Sequence, residues 1–327
     1  MERNFPDRDY KTELFFSLKN KFTINSLLVE RIKTCNSKTI FHIHGGFIPE
    51  FYHLSRILKK EKLAYVFTPH GAYNHKAMEK NKWVKRLYFN CFEKSLVKNA
   101  KAIHCIGDSE VSSLLNLVPR SNCILIPNGQ NIEDLKFEYT NLKKRKCLVF
   151  GFCGRIDIHT KGLDYLLKGF AQFLNNSEEG GELWVIGDGD ELKDLKAMAQ
   201  ELGIASKVTF FGKRFGKEKL NIMANMDAFY HPSRNEGLPG AVLEAAGLKI
   251  PCVVSNESNM AGYINRYNAG IGLTENSEFQ IARSMNKITR DTYNGRIVNQ
   301  QENAIIMIKE EFNWNTIATR LTEVYRN

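Results

Sequence analysis

The stretch CLVFGFCGRIDIHTKG, residues 147–162, joins an apolar run to a turn that carries two cations. The run 147–153 has the apolar and aromatic content of a buried strand, and Gly154 marks its end. In an open α/β sheet, ligands bind beyond the carboxyl ends of the strands, so Arg155 and Lys161 are well placed to hold phosphates. Taken alone, however, two cations on a loop of this kind are better explained as ordinary surface residues.

The same alternation of short apolar runs and longer amphipathic stretches continues on both sides of this segment. It predicts two successive βα series, which is the pattern of an α/β protein with two Rossmann-like domains. The predicted strands are 39–44, 64–68, 102–106, 123–126, 147–153, 182–186, 208–211, 228–231 and 252–255. The predicted helices are 49–60, 76–99, 109–117, 162–174, 191–202, 217–225 and 240–247.

A polar stretch at 127–146, which opens with Pro-Asn-Gly, separates the two series and predicts a linker. We therefore place an N-terminal domain at residues 1–140 and a C-terminal domain at residues 141–312. The segment 313–327 has helical apolar spacing after a possible cap at Asn313. It is predicted as a C-terminal helix that returns toward the N-terminal domain.

Length and composition narrow the class of protein. The 327 residues suit two domains, and 43% hydrophobic with 25% charged residues are ordinary globular values. No segment approaches the roughly 18 consecutive apolar residues of a membrane-spanning helix. The N-terminal residues show no secretory signal, and the seven cysteines include no C-x-x-C pair. These features favour a cytoplasmic protein.

The net charge of +10 is distributed unevenly along the chain. Residues 1–140 hold 22 Lys and Arg against 14 Asp and Glu. The excess is greatest at 56–101, where 12 basic residues accompany three acidic ones. This distribution predicts an anionic partner for the first half of the chain.

A second candidate site is SRNEGLPGAVLE, residues 233–244. Gly237 and Gly240 permit close approach of the backbone, and the N-terminus of the following helix presents N–H groups to an anion. Of Glu236 and Glu244, one could reach a sugar and the other a ribose hydroxyl. An isolated pair of glutamates at this spacing has a more usual explanation. One glutamate interacts favourably with the helix dipole, and the other is an ordinary residue of the helix.

A third candidate is TPHG at residues 68–71, directly after the predicted strand 64–68. His70 would stand at the carboxyl end of that strand, where ligands of parallel sheets bind. A His-Gly pair at a strand end can also be a turn with no further role.

Together these motifs resemble the retaining glycosyltransferases of the glycogen-synthase-like family, glycosyltransferase family four, which have the GT-B fold. The resemblance extends from about Ile40 to Tyr325. Each motif alone is weak evidence for the family, but five motifs in the family's order are strong evidence. The resemblance implies two Rossmann-like domains that face each other across a cleft, an acceptor-side domain at 1–140 and a nucleotide-sugar-binding domain at 141–312. The motifs are TPHG at 68–71, IPNG at 126–129, GR with a following KG at 154–162, FFG at 210–212, and HPSRNEG at 231–237 leading into EAA at 244–246.

Carried over residue by residue, the resemblance implies four catalytic residues. Arg155 and Lys161 would clamp the donor diphosphate and neutralise it as the leaving group, and Glu236 would touch the transferred sugar. His70 would approach the sugar from the opposite domain, while Glu244 would bind the ribose. The remaining implied donor contacts are Gly212, Lys213, Gly237, Leu238, Pro239, Gly240 and Ala241.

The same resemblance implies a hexosyltransferase that retains anomeric configuration and uses a nucleotide diphosphate sugar as co-substrate. No metal and no other cofactor is expected, because the two cations would neutralise the leaving diphosphate. The implied acceptor is a saccharide or a lipid-diphosphate-linked saccharide, in cell-surface polysaccharide biosynthesis. Nucleic acid is not expected as a partner, since no recognised motif accompanies the basic half.

One feature departs from the family pattern. Only 38 residues precede the strand at 39–44, and they contain no glycine where the family has a Gly-rich loop. This predicts a shortened N-terminal domain, and it leaves open a catalytically weak or inactive subunit that only binds or scaffolds. A nicotinamide-dependent dehydrogenase is a further alternative, but GDGD at 187–190 places aspartates where a pyrophosphate would sit.

Between residues 75 and 102, basic and apolar residues alternate at helical spacing. An amphipathic helix with an apolar stripe on the domain core and lysines toward solvent explains this pattern. The charge excess across 56–101 favours a further role, which is peripheral attachment to the anionic inner face of the cytoplasmic membrane.

Overall fold

The computed structural model describes residues 10–79, 81–140 and 147–326. Their contacts define two compact units, the described parts of Met1–Ile126 with Thr322–Asn327, and of Pro127–Leu321. The chain passes from the first unit to the second where the predicted linker begins. The predicted domain limits of 1–140, 141–312 and 313–327 stay a prediction, and Lys80 within the segment 56–101 lies outside the described residues.

The first unit contains a parallel four-stranded sheet whose strands follow chain order. Apolar runs such as AYVFT are buried on both faces, as expected for strands that helices cover on either side. All four predicted strands are confirmed within one residue at each end. They are β1 (Ile40–His44), β2 (Ala64–Thr68), β3 (Ala102–Cys105) and β4 (Cys123–Leu125).

The helices of the first unit confirm the prediction at 49–60 and 109–117, and correct it at 76–99. There the predicted single helix is divided near Asn81, which has a left-handed φ of 57°, and a π-helical turn occupies Phe89–Glu93. Sequence analysis also missed the first helix. The helices are α1 (Ser26–Lys33), α2 (Pro49–Lys60), α3 (His75–Glu79), α4 (Lys82–Tyr88), α5 (Lys94–Asn99) and α6 (Asp108–Leu117).

The predicted apolar stripe of this helical region packs on the core only in part. Met78 and Leu96 are buried, as expected. Trp83, Val84 and Leu87 are instead 79%, 71% and 68% exposed. On α4, therefore, apolar side chains face solvent beside the basic residues, and the expectation that they pack on the core was wrong.

The second unit contains a parallel six-stranded sheet in the order β10-β9-β8-β5-β6-β7. All five predicted strands are confirmed within two residues at each end, and a sixth, the short β10, was missed. The strands are β5 (Val149–Cys153), β6 (Glu182–Ile186), β7 (Val208–Gly212), β8 (Ala228–His231), β9 (Cys252–Val254) and β10 (Gly270–Gly272). The chain adds strands first on one side of β5 and then on the other, so the strand order reverses between β5 and β8, where ligands bind in such sheets.

Helices cover this second sheet, and α8 packs along α13.

The last helix begins at Trp314, and its predicted cap at Asn313 is confirmed, because the Asn313 side-chain oxygen accepts from Asn315 N–H at 2.9 Å. Within the described residues, no helix combines the length and apolar character that a membrane crossing requires. The helices are α7 (Ile158–Lys161), α8 (Leu163–Asn176), α9 (Leu192–Glu201), α10 (Gly216–Met223), α11 (Gly240–Gly247), α12 (Ala261–Tyr267), α13 (Glu278–Tyr293), α14 (Ile297–Glu311) and α15 (Trp314–Arg326). The residues of α15 from Thr322 onward belong to the first unit.

Candidate functional site

A cavity of about 650 Å³ opens at the carboxyl ends of β5, β6 and β7. Its size falls in the range of small-molecule sites. The predicted donor residues Arg155 and Lys213 both line it. The rest of the lining comes from segments 153–157, 186–191 and 213–215, and from Lys219.

The turn after β5 is fixed by its own side chains. Asp157 caps α7, since its Oδ1 accepts from Thr160 N–H at 2.9 Å. Gly162 then has a left-handed φ of 66°, and a Cβ there would lie 1.9 Å from the Pro232 carbonyl oxygen. Only glycine fits this approach, which brings Lys161 beside the loop that follows β8.

Lys161 and Glu236, predicted from separate motifs, form an ion pair. Their side chains are only 15% and 16% exposed, and Nε2 of the buried His231 lies 2.9 Å from Glu236 Oε1. Burial disfavours the charge on Glu236, but the hydrogen bond from His231 and the Lys161 ammonium outweigh it and lower the pKa to about 2. Burial lowers the pKa of His231, so a neutral imidazole donates to a permanent carboxylate. Sequence analysis included His231 in the HPSRNEG motif but assigned it no role.

Arg155 differs from Lys161 in its exposure. Its side chain is 69% exposed and lies 3.2 Å from Asp157 Oδ2. Lys213 extends over the ring of Phe215, with 5.1 Å from its Nζ to the ring centroid. Gly212 ends β7, and its carbonyl accepts from Gly187 N–H at 2.9 Å. The predicted donor contacts Gly212 and Lys213 thus follow one another at the carboxyl end of β7, and Lys213 lines the cavity.

The segment before α11 presents backbone rather than side chains. The helix begins at Gly240, as predicted, and Pro239 is its N-cap. Leu238 and Pro239 are buried, while Gly240 is exposed with open space around it. The N–H groups of Gly240 and Ala241 belong to the helix start, where intrahelical acceptors are lacking. Anion binding at this helix start stays a prediction.

Two residues that the sequence did not single out hold this segment in place. Asn259 donates to the carbonyls of Glu236 and Gly237 at 2.9 and 2.8 Å. Arg234 forms a bidentate pair with Asp164 at 2.8 and 2.7 Å. The HPSRNEG motif contained Arg234, but its partner 70 positions earlier could not be assigned from spacing.

Glu244, predicted to bind a ribose, pairs with Lys219 at 2.7 Å. Lys219 comes from α10 and lines the cavity. The pair therefore connects α11 with the cavity wall, and Lys219 is a further residue that sequence analysis missed.

His70 lies in the first unit, at the carboxyl end of β2 as predicted, and it is exposed. Its Nε2 is 3.0 Å from Nδ1 of His44, and partial desolvation lowers the pKa of both imidazoles. His42 lies beside them, between the hydroxyls of Tyr325 and Thr68 at 2.6 Å each. Burial and then the neighbouring histidines lower the pKa of His42 to about 3. This edge therefore carries neutral imidazoles, which the spacing HIH at 42–44 could have suggested.

Comparisons with known proteins agree with the predicted family and with the two α/β units. The family model for glycosyl transferases group 1 matches residues 133–309, and that for glycosyltransferase family 4 matches residues 7–134. The UDP-Gal:alpha-D-GlcNAc-diphosphoundecaprenol alpha-1,3-galactosyltransferase of Escherichia coli is 32% identical over 142 residues. That match covers 40% of this chain and 36% of the relative.

Solved structures show the same fold. Anabaena Alr3699/HepE in complex with UDP superposes with a TM-score of 0.74 at 18% identity, covering 91% of this chain and 80% of that chain. WaaG, a glycosyltransferase involved in lipopolysaccharide biosynthesis, has a TM-score of 0.66 at 19% identity, with 83% and 80% covered. The predicted GT-B fold, with two α/β units built on parallel sheets, is confirmed.

Proposed function

The chain belongs to the group 1 glycosyl transferases, and on that premise we propose that it transfers a sugar from a nucleotide diphosphate to a saccharide or lipid-linked saccharide. The observation that supports this most directly is the contact among Lys161, Glu236 and His231. It places a permanent carboxylate and a cation side by side on α7 and the loop after β8, and α7 directly follows the segment 153–157 that lines a cavity of nucleotide size.

The chemistry of glycosyl transfer suits these residue types. In the transition state, positive charge develops at the sugar and negative charge on the departing diphosphate. We assign Glu236 to the sugar, and Lys161 with Arg155 to the diphosphate. The N–H groups that begin α11 would add hydrogen bonds to a phosphate or sugar oxygen. We keep His70 as a contact of the transferred sugar.

The cavity lined by Arg155, Lys213 and Lys219 would take the nucleotide, with Glu244 on the ribose. Because the HepE structure holds UDP, uridine diphosphate sugars are the first donors to test. We further propose retention of configuration and no requirement for a metal ion, since the two cations neutralise the leaving group. Activity in EDTA and the anomeric configuration of the product test these two points.

The experiment is a thermal-shift panel of nucleotide diphosphates and nucleotide sugars, followed by transfer assays with the donors that bind. A ligand at about 100 times its Kd stabilises the folded protein by roughly 2.7 kcal/mol. Saccharides with and without a lipid diphosphate serve as acceptors. Donor binding with transfer supports the proposal. Donor binding without transfer or donor hydrolysis would favour the alternative, a binding or scaffold subunit.

We also propose peripheral attachment to an anionic membrane through the segment 56–101, in surface polysaccharide synthesis. The observation in favour is α4, where Trp83, Val84 and Leu87 are exposed beside the exposed Lys82 and Arg86. Exposed apolar and cationic groups on one helix suit an anionic bilayer, because each basic residue contributes about 1 kcal/mol there.

Vesicle sedimentation tests this attachment. Lys82→Glu with Arg86→Glu should weaken binding to anionic vesicles by roughly 30-fold or more, and added salt should weaken the wild type. Lys85 is left unchanged because its Nζ donates to the Ala77 carbonyl at 2.5 Å. Glu79→Lys, at an exposed residue of α3, is the matched control and should bind at least as well as the wild type. No binding to anionic vesicles would remove the membrane proposal.

A further inference from the structure

The turn that presents His70 adopts an unusual backbone conformation. His70 has a φ of 54° and Gly71 a φ of 77°, so two successive residues are left-handed. Such a conformation at a non-glycine residue costs on the order of 1 to 3 kcal/mol, and it persists only where the surroundings enforce it. The contacts of this turn therefore decide where the imidazole points.

The enforcing contact comes from Glu110, a fully buried residue of α6. Its Oε1 accepts from the N–H of Gly71, and its Oε2 accepts from the N–H of Ile106 at 3.2 Å. One carboxylate thus ties the turn after β2 to the turn after β3.

Glu110 could act only locally, as a capping residue at the N-terminus of α6. Glu110 is the third residue of α6, from which a glutamate commonly reaches back to the N-cap backbone, here Gly107. Here Oε2 makes a bond of that type, to Ile106, but Oε1 bonds a residue 39 positions earlier. Local capping does not account for the second bond, so the carboxylate serves the His70 turn as well.

The ionisation of Glu110 bears on these bonds. Burial raises its pKa to about 7, although the hydrogen bonds from Gly71 and Ile106 oppose the rise. The titratable groups facing it are Tyr73 of the same turn, Cys105 of β3 and Cys123 of β4. A protonated carboxyl has one oxygen that no longer accepts well, so one of the two N–H groups would lose its acceptor.

We propose that Glu110 is a positioning residue for His70. The ionised carboxylate of Glu110 holds the His70–Gly71 turn in the conformation that transfer requires. This inference rests on the proposed contact of His70 with the transferred sugar. The ionised carboxylate accepts from both turns, and its protonation below neutral pH releases one of them.

The test compares Glu110→Gln with wild type in kcat and in its pH profile. We expect kcat to fall by roughly 100-fold, the effect of displacing a contact group by about 1 Å. In wild type, kcat should rise between pH 6 and 8 with a midpoint near 7, and this rise should be absent from the variant. Glu79→Gln, an exposed carboxylate of the same unit, is the control and should leave both unchanged.

A second comparison separates positioning from a general structural role. In the His70→Ala background, Glu110→Gln should cause little additional loss, because the residue that it positions is gone. An additive loss would overturn the inference. The donor-induced thermal shift should be retained, and it confirms that each variant is folded. If Glu110→Gln does not fold, Glu110→Asp takes its place, and a wild-type kcat and pH profile in that variant would also overturn the inference.

The two proposals fail in different ways. Wild-type activity in His70→Ala would remove the proposed role of His70 itself. A large loss in His70→Ala together with a wild-type kcat in Glu110→Gln would leave that role intact and remove only the positioning role.

Discussion

The two parallel sheets end in contrasting electrostatic surroundings. Beyond the second sheet, cations are paired with carboxylates, as in Lys161 with Glu236, and the pKa of Glu236 is lowered to about 2. Beyond the first sheet, the pKa values of His44 and His70 are lowered, while that of the buried Glu110 is raised to about 7. The edge of the second sheet thus holds permanent charges. The edge of the first sheet has uncharged imidazoles and a carboxyl group that ionises near pH 7.

This difference indicates which chemical groups of a ligand each edge can bind. Fixed cations stabilise an anion at every physiological pH, which is what a diphosphate donor and leaving group needs. Neutral imidazoles cost less to desolvate than charged groups, and they can both donate and accept hydrogen bonds to sugar hydroxyls. The edge of the second sheet therefore suits the proposed donor, and that of the first suits uncharged sugar groups.

The largest effect is expected where the fixed charge is most buried. Lys161→Ala should lower kcat/KM by roughly 30- to 4,000-fold, which corresponds to about 2 to 5 kcal/mol for one partner of a buried charge pair. Initial rates at varied donor concentration measure it, with circular dichroism to verify folding.

Arg155→Ala is the matched comparison, since this cation is mostly exposed. We expect a clear but smaller loss of donor affinity and turnover. Unchanged kinetics in both variants would contradict the proposed diphosphate site.

A second, smaller effect separates the two glutamates of the second unit. Glu236→Gln should lower kcat on the order of 100-fold, because it removes charge from the transition state. Glu244→Gln should mainly raise the donor KM by roughly tenfold, the typical value of one charged hydrogen bond. Steady-state kinetics with saturating acceptor distinguish them. The reverse pattern would show that the roles along this segment are assigned wrongly.

Sequence periodicity was sufficient for most of the fold. The strands predicted at 64–68, 182–186 and 228–231 have the same limits in the structure, because buried parallel strands give continuous apolar runs. The strand β10 has only three residues, two of them glycine, and so gives no such signal. The helix predicted at 76–99 was wrong because periodicity does not show a left-handed residue such as Asn81.

The candidate site could be predicted only as separate motifs. Arg155, Lys161 and Glu236 each follow a strand, so topology alone placed them at one edge. The contacts between distant residues could not be found this way, among them Lys219 with Glu244 and Glu110 with Gly71. A pair separated by 25 or more positions leaves no periodic trace in one sequence, and it becomes visible only when the packing is known.

The last expected effect is on stability, and its sign differs between the two edges. Glu110 has a folded pKa of about 7, above the ordinary 4.5 of the unfolded chain. Its stabilising contribution is therefore fully present below pH 4.5 and is lost as the pH rises through 7. Glu236 has a folded pKa of about 2, below 4.5. Its contribution is present above pH 4.5 and is lost as the pH falls toward 2.

Thermal unfolding of wild type, Glu110→Gln and Glu236→Gln between pH 3 and 8 measures both contributions. Neither glutamine titrates, so the difference in Tm between wild type and each variant isolates one carboxyl group. Relative to Glu110→Gln, wild type should lose on the order of 3 kcal/mol as the pH rises from 4.5 to 7, because one pKa unit corresponds to about 1.4 kcal/mol. Relative to Glu236→Gln, it should lose stability only as the pH falls below 4.5. Differences that slope in the same direction would show that the two edges do not differ in the way their charges are held.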